Sequence, residues 1–108
     1  MTDTNLSITE NTEDKSDNAT SKLFLKGRIT SSDTDILKRK LDEVLKAGCE
    51  RIVLNMQDIS FLASGGIRVL LMYYKIASSR GSSFYIEKPS ENVKNVLGMV
   101  ALDEMLLK

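Results

Sequence analysis

Ser64-Gly65-Gly66, followed by Ile67, Leu70, Leu71 and Tyr74 at i, i+3, i+4 and i+7, is the segment of this 108-residue chain that most suggests chemistry. The apolar spacing predicts an amphipathic helix whose first turn begins at a Ser-Gly-Gly turn. The leading N–H groups of a helix have no intrahelical acceptor, and the peptide dipoles sum to partial positive charge at that end. Such an end can receive a carboxylate, a phosphate or a serine hydroxyl. Two readings follow. In one, Ser64 is the N-cap and the glycines allow a tight turn; in the other, the uncovered backbone is a place for another molecule to dock. A phosphate-binding P-loop is excluded, because the Gly-x-x-x-x-Gly-Lys-Ser/Thr spacing is missing. A nucleotide-binding or enzymatic use is disfavoured, because no Lys or His flanks the glycine pair to stabilise transferring charge.

Other reactive groups are few. Histidine is absent and Cys49 is the only cysteine, which removes Ser-His-Asp and Cys-His nucleophiles, the usual zinc sets and any internal disulfide. Cys49 has no basic cluster in its neighbourhood and reads as a small apolar residue. Asp33 and Asp35 open an earlier helix, where capping outweighs a metal or catalytic pair. Met72 and Tyr73 read as core packing, although an exposed Met suits an adaptable interface. Arg68, Lys75 and Arg80 read mostly as solvated charge, although Arg68, one turn from Ser64, could hold an acidic partner. Fifteen Lys plus Arg balance fifteen Asp plus Glu, so there is no electrostatic case for nucleic acid or an anionic membrane. Residues 1–20 are polar and lack the apolar stretch of a signal peptide, and no run approaches the ~18 apolar residues of a membrane span. A cytoplasmic protein is the expectation.

The elements that must position these groups follow from periodicity. Composition is that of one globular domain, with 42% hydrophobic and 28% charged residues. Residues 1–21 form a polar arm, carrying Asp3, Glu10, Glu13, Asp14 and Asp17 against Lys15 alone. Within it, Leu6 and Ile8 alternate and predict an edge strand at 5–10, a surface on which a second copy could pair to make a homodimer. Residues 11–21 read as a hairpin loop or connector. Leu23, Leu25 and Ile29 predict a half-buried strand ending at the turn-forming residues Thr30, Ser31, Ser32 and Asp33. Leu37, Leu41, Val44, Leu45 and Cys49 predict a helix stopped by Gly48, with its lysines on a solvated face. Residues 51–55 predict a central strand buried on both faces. Gly81 ends the second helix, 83–86 predict a further strand, and Pro89 with Ser90 opens a third helix carrying Val93, Val96 and Leu97. Residues 101–107 fit either a short helix or a closing strand. The order predicts an α/β layered domain.

The run from Ile52-Val53-Leu54-Asn55 through Ser60-Phe61-Leu62-Ala63-Ser64-Gly65-Gly66-Ile67 to Leu71 resembles the signature of STAS domains, the family of bacterial anti-sigma factor antagonists and of the cytoplasmic tails of sulfate transporters. The similarity extends from about Lys22 to the C-terminus, so that 1–21 is the arm and 22–108 the domain. It implies a mixed four- to five-stranded sheet with helices packed mainly on one face. In the antagonist branch the motif is an apolar pair, Asp-Ser-Ser-Gly and an apolar helix. Its second serine is phosphorylated by the partner kinase; the unmodified form docks on an anti-sigma factor and the phosphorylated form is released.

Aligned on this chain, the Asp falls on Ala63, the first Ser on Ser64, the phosphoacceptor on Gly65 and the Gly on Gly66, and Thr30 stands where the family often has Asp. The acceptor hydroxyl is therefore missing. Either Ser64 is a displaced phosphorylation site, or the domain is not phosphorylated there; a one-residue shift turns a helical side chain by roughly 100°, which favours the second. Ser60 and Thr30 are lesser acceptors. The resemblance implies a non-enzymatic interaction domain that needs no cofactor or metal and binds an anti-sigma factor or related serine kinase by partner switching. Its docking surface would comprise the loop Ser60 to Gly66, including Ala63, Ser64 and Gly65. The helix face of Arg68, Met72 and Lys75 and the turn of Thr30, Ser31 and Asp33 would complete it. The alternative role is an accessory subunit regulating a transporter or a lipid-transport assembly.

Overall fold

The computed structural model describes residues 6–13 and 20–107, and side chains at 6–10 and 20–107. Four strands, β1 (Ser7–Glu13), β2 (Thr20–Ile29), β3 (Arg51–Leu62) and β4 (Ser83–Glu87), form one sheet in the order β1-β2-β3-β4. β1 runs antiparallel to β2, and β2, β3 and β4 are mutually parallel. A 3-10 turn (Ser31–Asp33) leads into α1 (Thr34–Lys46), and α2 (Ser64–Ser79), α3 (Glu91–Met99) and α4 (Asp103–Leu106) follow. The expected α/β domain with a mixed sheet of four to five strands is observed, with four strands among the described residues. The predicted edge strand is present but spans 7–13 rather than 5–10, and β2 already begins at Thr20, so the segment read as a loop at 11–21 is strand at both ends; its middle, 14–19, lies outside the described residues.

Alternation explains β2: Leu23, Leu25 and Ile29 are buried, while Phe24 and Lys26 face out. β3 holds the centre because Ile52, Val53 and Leu54 are all buried in succession. It runs seven residues beyond the predicted 51–55, to Leu62. Its later buried positions, Met56, Ile59 and Leu62, are three apart, a spacing that hides a strand from a period-two reading. Two register shifts against β2, between Phe24 and Lys26 and between Gly27 and Arg28, accommodate that spacing.

The buried faces of all four helices join Leu23, Leu25, Ile52 and Leu54 in one core. Each fully buried Leu or Ile contributes roughly 1.5–3 kcal/mol of transfer free energy. α1 stops at Lys46, and Gly48 takes φ +82° with its N–H on the Leu45 carbonyl at 3.0 Å. Cys49 therefore lies past the helix rather than on it, yet is buried in the core. Ser90 caps α3 by accepting from the Val93 N–H at 3.2 Å, and its hydroxyl donates to the Ile59 carbonyl at 2.6 Å, tying the helix to β3. Residues 101–107 follow the helix reading: α4 forms, and the closing strand is reduced to one isolated bridge from Leu107 to Ile86.

Candidate functional site

The parallel pairing of β2 and β3 ends with Ile29 opposite Leu62, and the Ala63 N–H extends it by donating to the Ile29 carbonyl at 2.9 Å. The chain leaving β2 and the chain leaving β3 thus turn into helices side by side. After β2, the Thr30 N–H and Oγ1 both donate to Asp33 Oδ2, at 2.9 and 2.8 Å, and the Asp33 N–H returns to the Thr30 carbonyl at 3.0 Å. This reciprocal cap fixes the turn that presents Ser31. It also corrects one expectation. Asp33, expected at a docking surface, is only 9% exposed and its carboxylate is engaged by Thr30.

After β3 there is no intervening Ser-Gly-Gly turn; α2 starts at Ser64. Ala63, extended at φ −82° and ψ 164°, is the N-cap, and it supplies no side-chain hydrogen bond. Ser64 is therefore not the cap but the first helical residue, exposed to solvent. The two glycines have separate roles. A Cβ on Gly66 would stand 2.7 Å from Ile29 Cγ2 and 2.8 Å from Leu62 Cδ1, and Gly66 is buried. Its bareness lets α2 approach the strand ends, so the expectation that it bares backbone for a partner is corrected. A Cβ on Gly65 would meet Thr34 Cγ2 at 3.4 Å, an ordinary contact at the edge of open space. Of the two, Gly65 alone has room for a side chain.

Between α1 and α2 lies a groove of about 310 Å³ lined by Ser31, Thr34, Lys38, Gly65, Arg68, Val69 and Met72. Four of the predicted docking residues, Ser31, Gly65, Arg68 and Met72, meet here, and Met72 is 40% exposed rather than packed in the core. Thr34, Lys38 and Val69 were missed. Lys38 follows the buried Leu37 and sits four residues from Thr34, so it flanks the apolar stripe; grouping it with the solvated lysines concealed that. Among the described residues neither Lys38 nor Arg68 forms an ion pair.

Ser60 and Lys75 are exposed outside the groove. The Ser60 hydroxyl donates to the Gly27 carbonyl at 3.3 Å, and beside it Phe61, 37% exposed, lies under the Arg28 guanidinium at 4.6 Å from the ring centroid. Lys75 follows Met72 on the outer face of α2. Away from the groove lining, the Tyr73 hydroxyl donates to Asp42 Oδ1 at 2.7 Å, joining α2 to α1. Burial, helped by that carboxylate, pushes the phenol up to about 12. Among the described residues no group of His, Cys, Asp or Glu is disposed to hold a metal ion, and no helix is long and apolar enough to cross a membrane.

The STAS_2 family model, described as "Mlab, STAS domain", matches residues 12–108. The chain belongs to the STAS domain family. Among its STAS relatives, a Paenibacillus polymyxa protein named anti-sigma F factor antagonist is 26% identical over 83 residues, 76% of this chain and 71% of that protein. A putative anti-sigma factor antagonist of Thermotoga maritima is 32% identical over 65 residues, 60% of this chain and 58% of that protein. The crystal structure of an anti-sigma factor antagonist from Mycobacterium paratuberculosis superposes with a TM-score of 0.77 at 20% identity, covering 93% of this chain and 83% of that one. The unphosphorylated anti-sigma factor antagonist SpoIIAA gives 0.74 at 17% identity, covering 92% and 86%. These superpositions establish the STAS fold. The sequence relatives make this an antagonist-like STAS protein.

Proposed function

We propose that this protein is a cytoplasmic regulator of transcription that binds an anti-sigma factor or related serine kinase by partner switching, and that it acts as a binding module rather than an enzyme. One observation carries the reading: the turn after β2 and the first turns of α2 converge on an open groove lined by Ser31, Gly65, Arg68 and Met72. The names of the sequence relatives support the choice of partner.

Gly65 stands where the antagonist motif carries its phosphoacceptor, so no phosphate forms at the centre of this surface. A phosphate there would add about −1.5 to −2 charges within the contact and break it by repulsion and desolvation. Without that acceptor, occupancy follows the concentrations of the partner and its competitors. Ser64 is exposed, but as the first residue of α2 it does not line the groove.

The decisive experiment titrates the protein with purified serine-kinase-type anti-sigma factors of its own cell, comparing wild type with Gly65→Asp. The aspartate places a fixed negative charge at the groove, and we expect at least about a tenfold loss of affinity, or ~1.4 kcal/mol, in a variant that still folds. Unchanged affinity removes the groove from the interface. Phosphate located on Ser64 by mass spectrometry after incubation with kinase and ATP overturns the acceptor-free reading.

A second reading is favoured by the family match, whose description differs from the antagonist names, together with Gly65. It is a permanently docked accessory subunit of a transporter or lipid-transport assembly. Co-purification with a membrane-associated ATPase instead of an anti-sigma factor selects it.

A further inference from the structure

We propose that the groove between α1 and α2 accepts an acidic, apolar-bearing segment of a protein partner, with a carboxylate at the rim formed by Lys38 and Arg68 and a hydrophobic side chain against Val69 and Met72. The proposal rests on reading this groove as the docking face.

The charge at the groove is one-signed. Lys38 and Arg68 line it, no carboxylate does, and among the described residues neither cation has an ion-pair partner. Two carboxylates on α1 are close enough in sequence to neutralise Lys38, and neither does. Asp35, three residues before it, is exposed and forms no bridge to it, and Asp42, four residues after it, accepts from the Tyr73 hydroxyl. The α2 wall continues the same chemistry outward. Arg68, Met72, Lys75 and Ile76 lie at i, i+4, i+7 and i+8, so cations and exposed apolar side chains share one face. At the near end α2 begins on Ala63 with no side-chain cap, and its first N–H groups add partial positive charge.

Complementarity in charge selects an acidic occupant, and the apolar floor selects a protein segment over a nucleic acid. A nucleic-acid track needs a longer row of cations and stacking rings, whereas this groove offers two cations, Val69 and Met72, in a chain of zero net charge.

The test pans a phage-displayed library of random short peptides against the folded protein, then titrates the selected peptides in synthetic form with amide chemical-shift mapping. Acidic peptides bearing Leu, Ile or Phe are expected. They should shift Ser31, Gly65, Arg68 and Met72, weaken with added salt, and lose about tenfold or more in affinity toward the Lys38→Glu/Arg68→Glu double variant. The milder Lys38→Ala/Arg68→Ala pair, checked by circular dichroism, carries the same comparison should the charge reversal unfold the protein. Neutral or basic peptides that map to the groove overturn the acidic assignment and leave the docking face standing. Peptides that map elsewhere, or no selection at all, overturn both. Single-stranded DNA binding the groove more tightly than any selected peptide overturns the choice of a protein partner.

Discussion

The two adjacent glycines at the start of α2 should respond to the same substitution with opposite signs. At Gly65 an added methyl meets only Thr34 Cγ2 at 3.4 Å and the Ser31 backbone at 3.8 Å. Alanine there keeps the packing, lowers the entropy of the unfolded chain and improves helix propensity, together worth about 0.4–1 kcal/mol of added stability. At Gly66 the same methyl stands 2.7 Å from Ile29 Cγ2 and 2.8 Å from Leu62 Cδ1. Ile29 is fully buried and Leu62 nearly so, and both sit at the strand ends that fix where α2 starts. Neither side chain is a free end that can swing into solvent. Relieving the overlap displaces the helix or forces strained rotamers, at about 1–3 kcal/mol, more than cancelling the gain in propensity. Gly65→Ala and Gly66→Ala should therefore differ by roughly 2 kcal/mol, or about 1 M in urea midpoint for a slope near ~2 kcal/mol per M. Equilibrium urea unfolding followed by far-UV circular dichroism measures both. Equal midpoints for the two variants would show that the close approach of α2 to Ile29 and Leu62 does not depend on a bare backbone, and would refute the reasoning.

Ala63→Asp supplies the missing cap and should raise stability by about 1 kcal/mol, read as a higher urea midpoint; no gain would mean that the first turn of α2 is already satisfied. Tyr73→Phe removes the hydroxyl that reaches Asp42 at 2.7 Å and should cost about 1 kcal/mol, because exposed Asp42 regains water. The Tyr73 phenol is raised by burial and by the Asp42 bond from 10.0 to about 12, so the folded state favours its protonated form. Its contribution is whole below pH 10 and is lost as pH rises to about 12. Ultraviolet phenolate titration of wild type against Tyr73→Phe should show one late-titrating tyrosine missing. Lys40 bonds Glu10 Oε1 at 2.7 Å and Glu43 Oε1 at 3.3 Å, and the Glu10 bond leads in raising its pKa. Lys40 lies at the surface with its side chain partly exposed, so Lys40→Ala should cost no more than about 1 kcal/mol, with faster amide exchange in β1 as the readout; any stabilisation it gives fades as pH rises past 10.5.

Where burial has a regular period, the sequence reveals the elements. α1, α3 and β4 lie close to their predicted positions because Leu37, Leu41 and Val44, Val93 and Leu97, and Phe84 and Ile86 repeat at helical or strand spacing. β3 was foreshortened because its second half is buried every third residue and relies on irregular pairing with β2. At the site, the family resemblance set Arg68 and Met72 on one helix face, whereas the residue-level reading left Met72 in the core, and it is 40% exposed. Neither gave access to which residues of α1 lie opposite them, since that depends on the strand-end register bringing Thr34 beside Gly65. Lys38 became visible only with that pairing. The distinct duties of Gly65 and Gly66 were likewise hidden, because both look equally permissive until Ile29 and Leu62 are in place.

The composition of the α2 N-terminus joins stability to recognition. By its resemblance to the antagonist motif this chain has Ala63 at the position of an Asp, and an Asp there would bond the first free N–H groups and set a negative charge beside the groove. Ala63 leaves those donors uncapped at a cost of about 1 kcal/mol. The same substitution preserves the positive potential that Lys38 and Arg68 establish along the groove wall. Ala63→Asp therefore carries a second consequence that a purely structural cap would not. The fold should become more stable while acidic peptides bind more weakly, because one carboxylate satisfies the helix end and competes for the charge the groove offers an incoming one.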